Sequence, residues 1–260
     1  MDMRILVTND DGPYSPGLKI LYDSLKDLGQ VHVVVPETPK SASGLGITLH
    51  KPLRINKISF REMKIFLING TPSDIIYIAL NTLFDKIDIV FSGVNIGDNT
   101  SMQVILSSGT VGAAAQAALS NIPALALSVA VESTEQLLHD DNLVASLKRN
   151  IHRISKCIIE NGFPKGVDVL NINFPNVPSD IFKTAKIARM RYSNIVYERT
   201  DPRGQRYYWI YGEPIEPELG TDVYIVHIEK KIAITPIKLN FEEKPLTDFY
   251  RFLEYLNNIR

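Results

Sequence analysis

Two adjacent carboxylates, Asp10 and Asp11, close the run Ile5-Leu6-Val7-Thr8-Asn9 and are followed at once by Gly12. Neighbouring side chains on a strand point to opposite faces, so the two acids converge only where the chain turns. Gly12 supplies the backbone freedom for that turn. Carboxylates about 4 Å apart repel by roughly 4 kcal/mol at an effective dielectric of about 20. Such a pair either shares a proton or holds a cation. At the carboxyl end of a first strand, where α/β proteins bind ligands, the cation is the stronger expectation. The bland alternative is a solvated Asp-Asp-Gly turn from strand to helix.

Further polar, glycine-bearing segments bring Ser41 and Ser43, then Thr71 and Asp74, then Ser92, Asn95, Asp98 and Asn99. Two carboxylates with neutral oxygen donors suit a hard cation such as magnesium, manganese or calcium. His32, His50, His139, His152 and His227 all lie outside these segments, which argues against a histidine-rich zinc site. A second signal is Ser107-Ser108-Gly109-Thr110-Val111-Gly112, which opens an alanine-rich stretch. Backbone amides at such a helix start bind phosphate, and small side chains permit close approach. A plain capped helix is the alternative. A cation site and an anion nest at one sheet edge together point to phosphate chemistry.

The elements that must position these residues follow from periodicity. Residues 4–8, 31–35, 64–69, 87–91, 124–129 and 169–174 read as strands. Helices are expected over 17–28, from Pro72 with Thr71 as its cap, over 109–119, and through most of 135–160. Near-continuous apolar strands alternating with helices imply a parallel sheet covered on both faces. Residues 187–229, with Tyr207, Tyr208, Trp209 and Tyr211, read as antiparallel strands or hairpins extending from the core, and 246–256 as a terminal helix.

Length bounds the chain at one large α/β unit: 260 residues, 45% apolar and 22% charged. A net charge of −1 suggests neither a nucleic-acid groove nor an anionic membrane surface. Cys157 is the single cysteine, so no intrachain disulfide forms, and it reads as a packed or semi-exposed small side chain on a helix. No apolar run approaches membrane-spanning length and the N-terminus lacks a signal-peptide pattern, so a cytoplasmic protein is expected.

The chain resembles the SurE (survival protein E) family of metal-dependent nucleoside monophosphate phosphatases. The matching segments are Ile5-Leu6-Val7-Thr8-Asn9-Asp10-Asp11-Gly12, Ser15-Pro16-Gly17, Lys40-Ser41-Ala42-Ser43-Gly44, Gly70-Thr71-Pro72-Ser73-Asp74, Ser92-Gly93-Val94-Asn95-Ile96-Gly97-Asp98-Asn99 and Ser108-Gly109-Thr110-Val111. Asn171-Ile172-Asn173-Phe174-Pro175, Gly220-Thr221-Asp222 and Ile234-Thr235-Pro236-Ile237 continue the order. Each is weak alone; the ordered set is specific.

The resemblance implies that Asp10 and Asp11 are catalytic and that Asp10, Asp11, Ser41 and Asn95 hold one divalent ion per subunit, magnesium or manganese. It implies that Ser108, Gly109 and Thr110 bind the phosphate, with Asn9 and Asn99 lining the pocket. It implies a Rossmann-like three-layer α/β/α core over roughly 1–180, with a hairpin and C-terminal extension over roughly 185–260 used in homodimer or homotetramer contacts. The expected substrates are nucleoside 5′- and 3′-monophosphates and, in some members, short polyphosphate.

The residues allow direct attack by water, with an aspartate as general base. A covalent aspartyl-phosphate is the mechanistic rival, although enzymes of that type usually space their two aspartates by one residue. A nucleotide sensor without turnover and a sugar-nucleotide transferase are the other classes; the Asp-Asp-Gly turn and the Ser-Gly-Thr helix start favour the phosphatase.

Overall fold

The computed structural model describes residues 3–193, 196–210, 212–240 and 247–258. The chain enters through β1 (Arg4–Thr8), buried from Ile5 onward, and returns by α1 (Pro16–Leu25) to β2 (Gln30–Pro36). A long polar loop leads to β3 (Ile55–Phe60), which turns back as β4 (Met63–Ile68). Next comes α2 (Pro72–Ile78), opened by a reciprocal cap in which Thr71 Oγ1 accepts from Asp74 N and the Asp74 carboxylate accepts from Thr71 N. A π turn over Ala79–Leu83 leads into β5 (Ile89–Ile96), and α3 (Ser101–Ser107) and α4 (Gly109–Leu119) follow almost without a break. β6 (Ala124–Val129), α5 (Thr134–Leu138), α6 (Asp141–Asn161) and β7 (Val169–Phe174) complete the alternation. The remainder holds β8 (Phe182–Thr184), a hairpin of β9 (Val196–Thr200) and β10 (Arg206–Ile210), α7 (Asp222–His227), β11 (Ile232–Ile237) and α8 (Thr247–Asn258).

One nine-stranded sheet runs β3-β4-β2-β1-β5-β6-β7-β11-β8. The strands from β4 to β7 are parallel, while β3 and β11 pair antiparallel at either side. Strand addition proceeds outward from β1 to β2 and β4, then resumes on the other side at β5. The crevice between the carboxyl ends of β1 and β5 is therefore the topological switch point, where ligands bind in open α/β sheets.

Both faces of the sheet are buried, which is why its central strands carry continuous apolar runs. Ile5, Val7, Val33, Val35, Phe91, Leu125 and Leu127 pack with Leu18, Leu21 and Leu25 of α1 and Leu143, Leu147 and Ile151 of α6. The opposite face offers Leu6, Val34, Val90, Ala124 and Ala126 to Ile75 and Ile76 of α2 and to Val111, Ala113, Ala114 and Ala117 of α4. Alanine meets alanine between β6 and α4, so this helix seats close to the sheet and is buried along most of its length.

The α/β reading holds, with helices on both sides of a mainly parallel sheet. Several local expectations differ. Asp222–His227 is helical, not extended, because Thr221 caps Tyr224 N and Asp222 is anchored in the core, outweighing the β-branched residues around it. The expected helix over 17–28 ends at Leu25, and β5 runs on to Ile96, which places Asn95 on a strand end. Strands β3 and β11 and helix α3 are additional. The terminal helix is present as α8; Leu246 and Tyr211 lie outside the described residues.

Asp74 is buried and its two oxygens accept from Thr48 N (2.9 Å) and Thr71 N (2.8 Å). Its carboxylate is thus committed to the fold. Asp74→Ala is expected to lower the unfolding free energy by about 3 kcal/mol, since two backbone donors lose a charged acceptor. Asp74→Asn, which keeps one acceptor, is expected to cost less. Denaturant unfolding measures both.

Candidate active site

Asn9 builds the turn that carries the two acids. Its Nδ2 donates to Gly12 O (2.9 Å) and its Oδ1 accepts from Gly12 N (3.1 Å), while Gly12 takes φ +89°. Asn9 is fully buried, and these bonds spend both ends of its amide on local geometry. Asp10, 4% exposed, points at the start of α4: its Oδ1 accepts from Thr110 Oγ1 at 2.6 Å, and the Thr110 amide also favours the carboxylate. Asp11 accepts from Ser15 Oγ (3.4 Å) and from the Ile96 amide at the end of β5. The pair thus spans the switch point.

Burial raises both carboxyls. Asp10 lies above its ordinary value because desolvation outweighs the Thr110 bonds. Asp11 is pushed up to about 6 by burial and then by the charge of Asp10.

The loop after β2 closes over this turn. Lys40 N donates to Asp10 O (2.7 Å), and Gly44 N donates to Ser107 O (2.9 Å). Ser41 sits exposed on this loop, next to Lys40, while the Ser43 hydroxyl is buried without a partner. Gly109 is the meeting point. A Cβ there would lie 2.7 Å from Ser43 Oγ and 2.9 Å from Asp10 Oδ2. Only a residue without a side chain lets Ser43, Asp10 and the first turn of α4 share this space.

The α4 start is largely committed. Ser108 Oγ caps Val111 N (3.1 Å), and Ser108 N donates to Val104 O (2.9 Å). With Thr110 turned to Asp10, the Gly109 amide is the one left without a partner among the described residues. Asn95 donates its Nδ2 to Gly97 O (2.7 Å), leaving its carbonyl oxygen uncommitted beside Ile96. Asn99 is placed differently. It is buried, its Nδ2 donates to Ser128 Oγ (2.7 Å), and its backbone is held by Asn171 and Asn173 of β7. Asp10, Asp11, Gly109, Thr110 and Asn95 therefore converge at one sheet edge, with Asn9 beneath them and Asn99 deeper, toward β6 and β7.

These residues fit a hard cation. Two desolvated carboxylates repel each other with no cationic side chain among their hydrogen-bond partners. Buried hydroxyls of Thr8, Ser43 and Ser92 lack partners, and Thr8 and Ser92 face each other in register on β1 and β5. Among the described residues no group of three or more His, Cys, Asp and Glu side chains is placed to hold a metal, so neutral oxygens must complete any shell. The side-chain carbonyl of Asn95, uncommitted beside Ile96, is one such oxygen.

A charged cluster beside this edge escaped the sequence reading. Asp98 accepts from Arg191 Nη1 (2.9 Å), bonds His227 Nε2 (3.1 Å) and accepts from Thr100 Oγ1. Burial alone would raise Asp98, but the His227 bond and the Arg191 charge hold it below the ordinary carboxylate range. Asp222, raised by burial, accepts from Ser101 N (2.8 Å) and Ala188 N (3.0 Å), docking the segment that carries Arg191. The one hint in the sequence was Asp98 itself, an acid in a polar loop after a strand; its partners are remote in the chain.

The Asp11 shift sets a pH dependence. Below its ordinary value of 3.8 both folded and unfolded chains hold the proton, and nothing is lost. As pH rises to about 6 the unfolded chain gives it up first, so the metal-free folded chain loses stability over that interval and carries the full penalty above it. Asp11→Asn is expected to raise the melting temperature of chelator-treated protein by a few degrees at pH 7.5 and by little at pH 4. Calorimetric scans at both pH values measure the difference; an equal shift at both would contradict this assignment.

The family model described as survival protein SurE matches residues 5–196. A protein of Hyperthermus butylicus named 5′-nucleotidase SurE is 54% identical over 93% of this chain and 86% of its own length. One of the same name from Thermofilum pendens is 52% identical over 92% of this chain and 91% of its own. The crystal structure of the SurE protein from Aquifex aeolicus superposes with a TM-score of 0.79 at 29% identity, over 96% of this chain and 99% of that one. With Asp10 and Asp11 at the switch point, the polar loops around them and the sheet order all on the same framework, the chain belongs to the SurE family.

Proposed function

We propose that this chain is a divalent-metal-dependent 5′-nucleotidase that hydrolyses nucleoside monophosphates to nucleoside and phosphate. The observation that carries this reading is the Asp10–Asp11 pair, desolvated and mutually repelling, with Asp10 pressed against the first turn of α4. The names of the Hyperthermus and Thermofilum relatives support the nucleotidase activity. Hydrolysis of 3′-nucleotides and of short polyphosphate extends the proposal by family resemblance.

Asp10, Asp11, Ser41 and Asn95 hold one ion, magnesium or manganese. When bound, the ion cancels the two carboxylate charges, polarises the phosphoryl oxygens and lowers the pKa of water. Ser108, Gly109 and Thr110 receive the phosphate, the free Gly109 amide donating to it at the positive end of α4. Thr110 keeps Asp10 oriented through its hydroxyl. An aspartate oxygen takes a proton of the water as its oxygen bonds to phosphorus, the bond from phosphorus to the nucleoside oxygen breaks, and that proton passes to the departing oxygen to give the nucleoside. Asn9 and Asn99 hold the pocket walls.

The chain forms one unit, with the α/β core over roughly 1–180 and an extension over roughly 185–260, and works in the cytoplasm as a homodimer or homotetramer. Every residue of β9 and β10 is exposed, among them Tyr207, Tyr208 and Trp209, and a two-stranded ribbon in water is marginal without a partner surface. No described helix is long and apolar enough to cross a membrane.

Phosphate release from nucleoside 5′- and 3′-monophosphates with magnesium, manganese or chelator tests the proposal. Release is expected only with metal and is expected to fall about 100-fold or more in Asp10→Asn. Gly109→Ala is expected to lose about 100-fold as well, because its methyl displaces Asp10 or Ser43. Turnover in chelator, or full activity of Asp10→Asn, would sink the reading.

A further inference from the structure

A cavity of about 1040 Å³ opens beside the candidate site. Gly97, whose carbonyl takes the Asn95 amide, lines it, as does Ser107, one residue before the α4 cap. It therefore begins where the phosphate site ends. Its volume lies at the upper end of the range for small-molecule pockets, with room for a purine as for a pyrimidine nucleoside.

Two residues, Arg191 and Tyr192, are held at its wall by their backbone. The Gln103 carboxamide is spent on their backbone: its Oε1 accepts from Arg191 N and Tyr192 N, both at 3.1 Å, and its Nε2 donates to Tyr192 O (3.4 Å). Tyr192 also bridges to Pro214. The Arg191 guanidinium stands 5.0 Å from the centroid of the Tyr192 ring. Its Nη1 is committed to Asp98, Thr100 and His227, and its Nε is enclosed, so the guanidinium is fixed in place. A buried ion pair gains little stability on its own account. Anchoring Arg191 to Asp98 instead fixes a guanidinium beside the Tyr192 ring.

We infer that this cavity receives the nucleoside of the substrate, its base stacked on Tyr192 beside the fixed Arg191 guanidinium. The inference rests on the phosphatase reading for the phosphate end and adds specificity-determining residues to it. Stacking on an aromatic face tolerates every base and contributes on the order of tenfold or more in affinity. Tyr192 and Arg191 thus separate nucleotides from simple phosphate monoesters, not one base from another.

The test compares kcat/KM for adenosine 5′-monophosphate and for p-nitrophenyl phosphate in the full chain with metal. Tyr192→Leu is expected to lower the nucleotide-to-p-nitrophenyl phosphate ratio about tenfold, chiefly through the nucleotide KM, and Tyr192→Phe to restore it. A parallel titration of the nucleotide in chelator, without turnover, is expected to show a weaker Kd for Tyr192→Leu by a similar factor. An unchanged ratio, or an equal fall for both substrates, overturns the inference. If the wild-type chain hydrolyses neither substrate, the phosphatase reading fails, and the chelator Kd still decides the cavity: an equal Kd in wild type and Tyr192→Leu refutes it.

Discussion

Two carboxylates held side by side out of water are the constraint around which this structure is arranged. Asp10 and Asp11 are consecutive, yet the Asn9–Gly12 turn brings them to one crevice. Their repulsion and desolvation are offset only in part: by the Thr110 hydroxyl and the start of α4 for Asp10, and by Ser15 and the Ile96 amide for Asp11. Every one of these compensating groups comes from an element flanking the switch point. The parallel order around β1 and β5 is thus what allows the pair to exist, and the small residues of α4 are what let the helix start reach it. A site that remains raised after such compensation is poised for a cation, because binding one removes the largest unfavourable term in its surroundings.

A second polar network fixes the neighbouring loops. Asn99 is its knot, tied to Ser128 on β6 and to Asn171 and Asn173 on β7. These two asparagines lie in a strand whose alternate residues, Leu170, Ile172 and Phe174, enter the core; the opposite face is polar because it grips a loop. Asp98 and Asp222 extend the network to Arg191, His227 and Ala188. The C-terminal part of the chain is therefore bonded into the crevice, and the charged groups that line the cavity depend on both halves of the sequence.

The parts of the fold set by local physics were legible in the residues alone. The bounds of α4, β6 and β7 follow directly from a glycine-threonine start and from unbroken apolar runs. The turn at Asp10 and the loops converging on it were equally readable, because parallel strands share an edge. Strand β3 was not, since Asn56, Lys57 and Ser59 at a sheet edge leave only weak alternation. Helix α7 was not, because Val-Tyr-Ile-Val reads as extended until Asp222 is seen to be anchored by three backbone amides. Oxygen-rich residues in strand-end loops also look alike in sequence. Asp74 is committed to capping, as the Thr71-Pro72-Ser73-Asp74 spacing allows, whereas Asn99 is committed to bracing and nothing in its immediate neighbours distinguishes it from Asn95. Arg191 and His227 were invisible for a different reason: their bonds to Asp98 span 93 and 129 positions.

That last omission matters for the electrostatics of the crevice. Asp98 stands three residues from Asn95, and as a free carboxylate it would add a third negative charge where an anionic phosphate must approach. Arg191 cancels it, and Thr100 and His227 complete its hydrogen bonds, so the carboxylate is retained as an anchor without contributing net charge. What remains uncompensated is the charge of Asp10 and Asp11, which one divalent cation would neutralise. In the proposed site, neutral donors such as Ser41 and Asn95 would complete a shell without making the crevice negative again. The same pairing that removes a charge from the phosphate end fixes the Arg191 guanidinium at the wall of the adjoining cavity. With the nucleoside seated in that cavity, one buried ion pair would serve two ends of a single elongated ligand, a reason to keep it in place of an apolar contact that costs less to bury.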